Sequence, residues 1–188
     1  MKRLFFTFIM AVMAVSIMAE GHLKFKGVEI DGKINTMVSA LQKQNFKIAS
    51  QTDEIAALTG MFNGQDSYVY VYTTPISHTV YQVVVMFTSS GSEWSQIWNL
   101  YTTYKERLQK KYGEPYLQIE ENRCSYCQDD PRYALKTDKA EYRTMYNGDG
   151  GGVGVGIIHL PILGEQVCLH YLDFENRELN ESEVLEEL

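Results

Sequence analysis

Residues 67–74 read SYVYVYTT, with tyrosine and valine in strict alternation from Tyr68 to Tyr72. Side chains along an extended strand point to opposite faces by turns, so Tyr68, Tyr70 and Tyr72 share one face and Val69 and Val71 the other. A helix would scatter both sets around its circumference, and the period of two therefore makes this a strand. The segment from Thr79 to Thr88 alternates too: Tyr81, Val83, Val85 and Phe87 fall on one side, and Val80, Gln82, Val84, Met86 and Thr88 on the other. Both faces of this hairpin are largely apolar. Valine is the natural choice for the face that lies under other elements, which leaves the tyrosines in view, where a hydroxyl reaches water and the ring offers a contact surface. The plainer reading is that tyrosine suits strands and stabilises cross-strand pairs with no partner at all.

On the N-terminal side of this hairpin, Phe46 to Gln51 and Ala56 to Phe62 are further strand signals, and Asn63-Gly64 and Thr74-Pro75 mark turns. Before them, Asp31 is a candidate N-cap, and Ile34, Met37, Val38 and Leu41 recur at helical spacing, which predicts an amphipathic helix over Gly32 to Asn45. His22 to Ile30 reads as a first strand with a slip at Gly27. After the hairpin the period changes. Trp94, Ile97, Trp98, Tyr101, Tyr104 and Leu108 predict a helix from Ser92 that Gly113 and Pro115 end. Strand signals resume at Tyr116 to Glu120, Glu141 to Tyr146, Gly152 to Leu160 and Glu165 to Phe174, with a final helical turn over Glu181 to Leu188.

Helix followed by four strands thus occurs twice, as candidate pseudo-repeats over 31–90 and 91–175. Leu41-Gln42-Lys43-Gln44-Asn45-Phe46 matches Leu108-Gln109-Lys110-Lys111-Tyr112-Gly113 at the same helix-to-strand junction. The expected fold is α+β: an antiparallel sheet of about eight strands with two main helices packed on one face, and the other face left over.

Met1 to Ala19 reads as a secretory signal peptide, with Lys2 and Arg3 before an apolar run and Ala19 at the cleavage point. The apolar run is short for a membrane span, and no cysteine near residue 20 provides a lipid anchor. The expectation is a single secreted, periplasmic or extracellular domain over 20–188 with no membrane span. Without Lys2 and Arg3, fifteen basic residues face twenty-four acidic ones, a net charge of −9 that disfavours nucleic acid as a partner.

The order of elements resembles that of the secreted beta-lactamase inhibitor proteins and, more distantly, the small envelope domains of the BamE and SmpA kind. That resemblance implies an open sheet face presented to a protein partner and transfers no binding residue. The opening HLKFKGVEIDG, His22 to Gly32, is similar to the start of small uncharacterised secreted proteins of Bacteroidetes-type bacteria and implies no activity.

The three cysteines are Cys124, Cys127 and Cys168. Cys124-Ser125-Tyr126-Cys127 is a C-x-x-C, but the acidic, turn-like Gln128-Asp129-Asp130-Pro131 after it argues against a low-pKa redox thiol. A zinc site would add Cys168 and His170, two apart on one strand face. In an oxidising compartment a structural disulfide is favoured, either within Cys124/Cys127 or from one of them to Cys168. No G-x-S-x-G elbow or H-E-x-x-H occurs, so a hydrolase trails these readings. The glycine run Gly148 to Gly156 lacks the Gly-Lys-Ser/Thr of a phosphate loop and lies between strands. Alternation of Gly152, Gly154 and Gly156 with valines predicts a strand with one bare face, which other side chains can approach closely. The leading expectation is a non-catalytic binding protein without a cofactor, whose site is Tyr68, Tyr70 and Tyr72 and whose partner is a protein or envelope component.

Overall fold

The structure is a computed structural model that describes residues 21–88 and 93–186. The expected signal peptide, Met1 to Ala19, lies outside the described residues. An eight-stranded antiparallel sheet is the centre of the molecule, built from β3 (Lys47–Gln51), β4 (Ile55–Phe62), β5 (Gln65–Thr73), β6 (Val80–Phe87), β7 (Leu117–Asn122), β8 (Ala140–Gly148), β9 (Gly151–Leu160) and β10 (Gly164–Asp173). Their spatial order is β3-β4-β5-β6-β10-β9-β8-β7. Each half is a four-stranded meander, and the last strands of the two halves, β6 and β10, pair at the middle. The helix-then-four-strands order read from the sequence is what the chain forms, with one further short helix between β7 and β8, and the two meanders run to the middle from opposite edges of the sheet.

Two helices supply most of the cover on one face. α1 (Ile34–Gln42) buries Ile34, Met37, Val38 and Leu41, and α2 (Trp94–Tyr112) buries Ile97, Tyr101, Tyr104 and Leu108, the same i, i+3, i+4 stripes that the sequence shows. Beneath them lie Val69, Val71, Val83, Val85, Val153, Val155 and Leu169, all in one hydrophobic cluster that spans both halves. The valine face of the β5–β6 hairpin is thus the covered face. Glu93 and Gln96 close a reciprocal capping box at the start of α2, and Gly113, at φ 86°, ends it.

Several elements differ from the sequence reading. His22 to Ile30 is a tight hairpin, β1 (Lys24–Phe25) and β2 (Val28–Glu29), because Lys26 and Gly27 both take positive φ at the slip. The N-cap of α1 is Lys33, and Asp31 instead accepts from Asn176 Nδ2 at 3.1 Å. Between β7 and β8 the acidic turn contains a short helix, α3 (Pro131–Lys136), capped by Asp130, whose carboxylate accepts from Tyr133 N at 3.0 Å. The chain after β10 is α4 (Phe174–Glu186), longer than the predicted final turn. In β6 the register passes from Tyr72↔Gln82 to Thr73↔Val80, and this bulge leaves Tyr81 unpaired and sends Val80 into the core. Among the described residues no helix is long and apolar enough to cross a membrane.

Candidate functional site

The face opposite the helices follows from the registers. Thr59, Tyr68 and Met86 lie abreast across β4, β5 and β6, as do Ala57, Tyr70 and Val84, and Ile55, Tyr72 and Gln82. The seam continues these rows through Cys168, His170 and Leu172 on β10 to Gly156, Gly154 and Gly152 on β9. None of these side chains carries a charge at neutral pH, in a chain that is 22% charged.

Tyr68, Tyr70 and Tyr72 form a continuous half-buried ladder, with ring centroids 6.1 Å apart at 24° for the first pair and 6.5 Å at 31° for the second. Burial, with the neighbouring phenols and the Cys168 thiol, raises Tyr70 and Tyr72 above their ordinary pKa, so both remain hydrogen-bond donors. Tyr81, released by the bulge, comes within electrostatic reach of Tyr72 and extends the phenol set.

Beside the ladder, Cys168 is fully buried and has no disulfide partner. Burial pushes its thiol up to about 12, which removes the thiolate needed for a nucleophile or a metal ligand. Burial, helped by the Arg143 guanidinium, pushes His170 down to about 4, so the imidazole is neutral at pH 7. The glycine stripe is filled by its neighbours: a methyl group at Gly154 would run into Met145 Sδ, and one at Gly152 would meet the Tyr116 hydroxyl at 3.1 Å and the Phe174 ring at 3.2 Å. The arrangement across β4, β5, β6, β10 and β9 offers donors, acceptors and ring faces without a charge, and Arg143 on β8, abreast of Gly156, borders it.

The C-x-x-C lies elsewhere. Cys124 and Cys127 are disulfide-bonded, with Cα atoms 5.2 Å apart, and both belong to the helix-side cluster, whereas Cys168 and His170 are on the open face. The four residues that a zinc site would need do not come together, and among the described residues no group of three or more His, Cys, Asp or Glu could hold a metal ion. Asn122 organises the disulfide loop, accepting from Cys124 N at 2.9 Å and donating to Cys127 O at 3.0 Å.

No family model, curated protein or solved structure gives a significant match to this chain. The chemistry of the surfaces therefore stands alone.

Two features escaped the sequence reading. Trp94 and Trp98, part of the period that predicts α2, are half-buried and, with Tyr142, wall a cleft of about 460 Å³ against the disulfide loop. Their spacing of four at a helix start was the available signal. Glu165, buried against Arg132 (2.6 Å) and His159 (3.0 Å), ties α3 to the β9–β10 hairpin through an Arg132 that lies 33 residues away in sequence.

Proposed function

We propose that this protein is a secreted, non-catalytic binding module that holds another protein against its open sheet face, with Tyr68, Tyr70 and Tyr72 as the anchor. The observation that supports this most is the absence of charge from the central rows of that face in an acidic chain, combined with a ladder of half-exposed tyrosines. Interface cores are depleted of Lys, Glu and Asp and enriched in tyrosine, which supplies area at little conformational cost. A partner of matching chemistry presents an uncharged, largely apolar surface with a few backbone or amide groups for the phenols. The proposed setting is outside the cytoplasm, after removal of Met1 to Ala19; the Cys124–Cys127 disulfide is compatible with that address.

The test replaces Val84 or Gln82, abreast of Tyr70 and Tyr72, by a photo-crosslinking residue in the native host and repeats the capture with Tyr68, Tyr70 and Tyr72 all changed to Ser. A single protein adduct from both positions, reduced at least about tenfold by the triple change, is the expected result. Equal capture by the triple variant overturns the reading.

A further inference from the structure

Four basic side chains, Lys24, Lys26, Arg107 and Lys111, converge on a cavity of about 280 Å³ between the β1–β2 hairpin and α2, although the chain carries a net charge of −7. No acidic side chain lines it. Lys24 is paired with Glu29 at 3.3 Å. The other three rest on rings: Lys26 lies 5.6 Å from the Phe46 centroid, Arg107 5.3 Å from Tyr104 and Lys111 4.6 Å from Tyr112. A cation over an aromatic face keeps its charge and its N–H donors, so the potential in the cavity stays positive.

The interior is built from phenols over an apolar floor. Tyr104, Tyr112 and Tyr171 all line the cavity, along with Phe25, Phe62 and Leu169. Burial raises the pKa of Tyr171, with Tyr112 and Tyr104 close enough to raise it further, so Tyr171 stays a hydrogen-bond donor beside the other two phenols. The Tyr104 hydroxyl is the telling atom. Tyr104 is only 2% exposed, and its oxygen makes no well-formed hydrogen bond among the described residues, although the Asn63 amide and the Arg107 guanidinium stand close to it. Buried hydroxyls are almost always satisfied, and one that is not marks a strained or functional position. Here it stands in a cavity where every charge is positive.

We propose that this cavity binds a small phosphate monoester, its phosphate held by Arg107, Lys111, Lys26 and the Tyr104 hydroxyl and its organic body seated on Phe25 and Phe62. A phosphate monoester carries close to two negative charges and three strong acceptor oxygens, which suits several cations and phenols better than a single carboxylate does. The site is separate from the open sheet face, since Tyr104, Tyr171 and Leu169 belong to the helix side.

Calorimetric titration of the purified protein with phenyl phosphate, benzoate and phenol tests it. Phenyl phosphate is expected to bind at least about tenfold more tightly than benzoate, with phenol not binding, as the charge count requires. Arg107 is exposed, so Arg107→Ala leaves the fold intact and is expected to weaken binding about tenfold. Tyr104→Phe separates a binding role from a packing role: affinity falls several-fold while the melting temperature stays the same or rises, because a buried hydroxyl without a well-formed hydrogen bond is removed. Benzoate binding as tightly as phenyl phosphate overturns the proposal. So does the absence of saturable phenyl phosphate binding at millimolar concentration, or an affinity that Arg107→Ala and Tyr104→Phe leave unchanged.

Discussion

Glu183 shows how much one side chain can carry at the end of the chain. Its carboxylate accepts from the backbone N–H of Ile76 at 2.8 Å and of Ser77 at 3.0 Å, fastening α4 to the turn between β5 and β6. Burial alone would raise its pKa, but the Ser77 and Ile76 donors, with the Thr74 hydroxyl, outweigh that and hold the carboxyl at about 2 against an ordinary 4.5. A group whose pKa is depressed in the folded state stabilises the fold fully above its unfolded pKa and loses that contribution as the pH falls through the folded one. The window here runs from about pH 4.5 down to about pH 2. Glu183→Gln is therefore expected to lower the melting temperature at pH 7 and to flatten the acid limb, the two proteins converging near the bottom of the window. Melting curves followed by circular dichroism across that range check it; parallel curves for the two proteins would show that the carboxylate does nothing for stability.

At the scale of elements, β9 makes the sharpest demand on its sequence. Gly154 pairs with Met145 on β8 and His170 on β10, and a methyl group there meets both Met145 Sδ and the Thr144 carbonyl oxygen, whereas at Gly156 the closest atom is the Tyr142 carbonyl oxygen at 3.3 Å. Gly154→Ala is expected to cost about 1–3 kcal/mol through overpacking, and Gly156→Ala less. Urea denaturation of the two variants ranks them, and an equal or reversed order contradicts the packing account. The bare stripe was legible in the sequence because glycine alternates with valine. So were β5, β6 and the two long helices, whose apolar periods are unbroken. β3 was read too, as Phe46 to Gln51, although it is exposed along its whole length and no buried face stamps an alternation on it. Other parts were hidden for physical reasons. α4 buries Asn176 and Glu183 while Leu179 and Val184 stay exposed, so polar contacts hold it: Asn176 Nδ2 donates to the Ile30 carbonyl at 2.9 Å and to the Val80 carbonyl at 3.1 Å. No hydrophobic period announces such a helix. α3 left a fainter trace in Asp130-Pro131, a cap followed by proline at the first helical position. Of the candidate sites, the tyrosine ladder was visible because one strand carries it. The phosphate cavity was not, since it gathers residues from β1, β4, α2 and β10 that are brought together only by folding.

The molecule as a whole is joined at one seam. β6 and β10 pair from Met86↔Cys168 to Gln82↔Leu172, and behind this ladder Val85 and Leu169 belong to the same cluster as Leu41 of α1 and Ile97 of α2. A continuous core predicts that the two meanders unfold together even though each has its own helix and its own four strands. Leu41 is fully buried in the first half, so Leu41→Ala is expected to destabilise by about 2–5 kcal/mol through the cavity it leaves. Both tryptophans of the chain, Trp94 and Trp98, sit on α2 in the second half and report on that half alone. If the core is one cooperative unit, Leu41→Ala shifts the tryptophan-fluorescence midpoint by as much as the circular-dichroism midpoint, and the two transitions stay superimposed. A fluorescence midpoint that stays at the wild-type value, or a second transition, would mean that the seam transmits little and that each helix with its four strands stands by itself. The continuity of the cluster across β6 and β10 argues for the shared shift, because a void under α1 loosens the same side chains on which α2 rests.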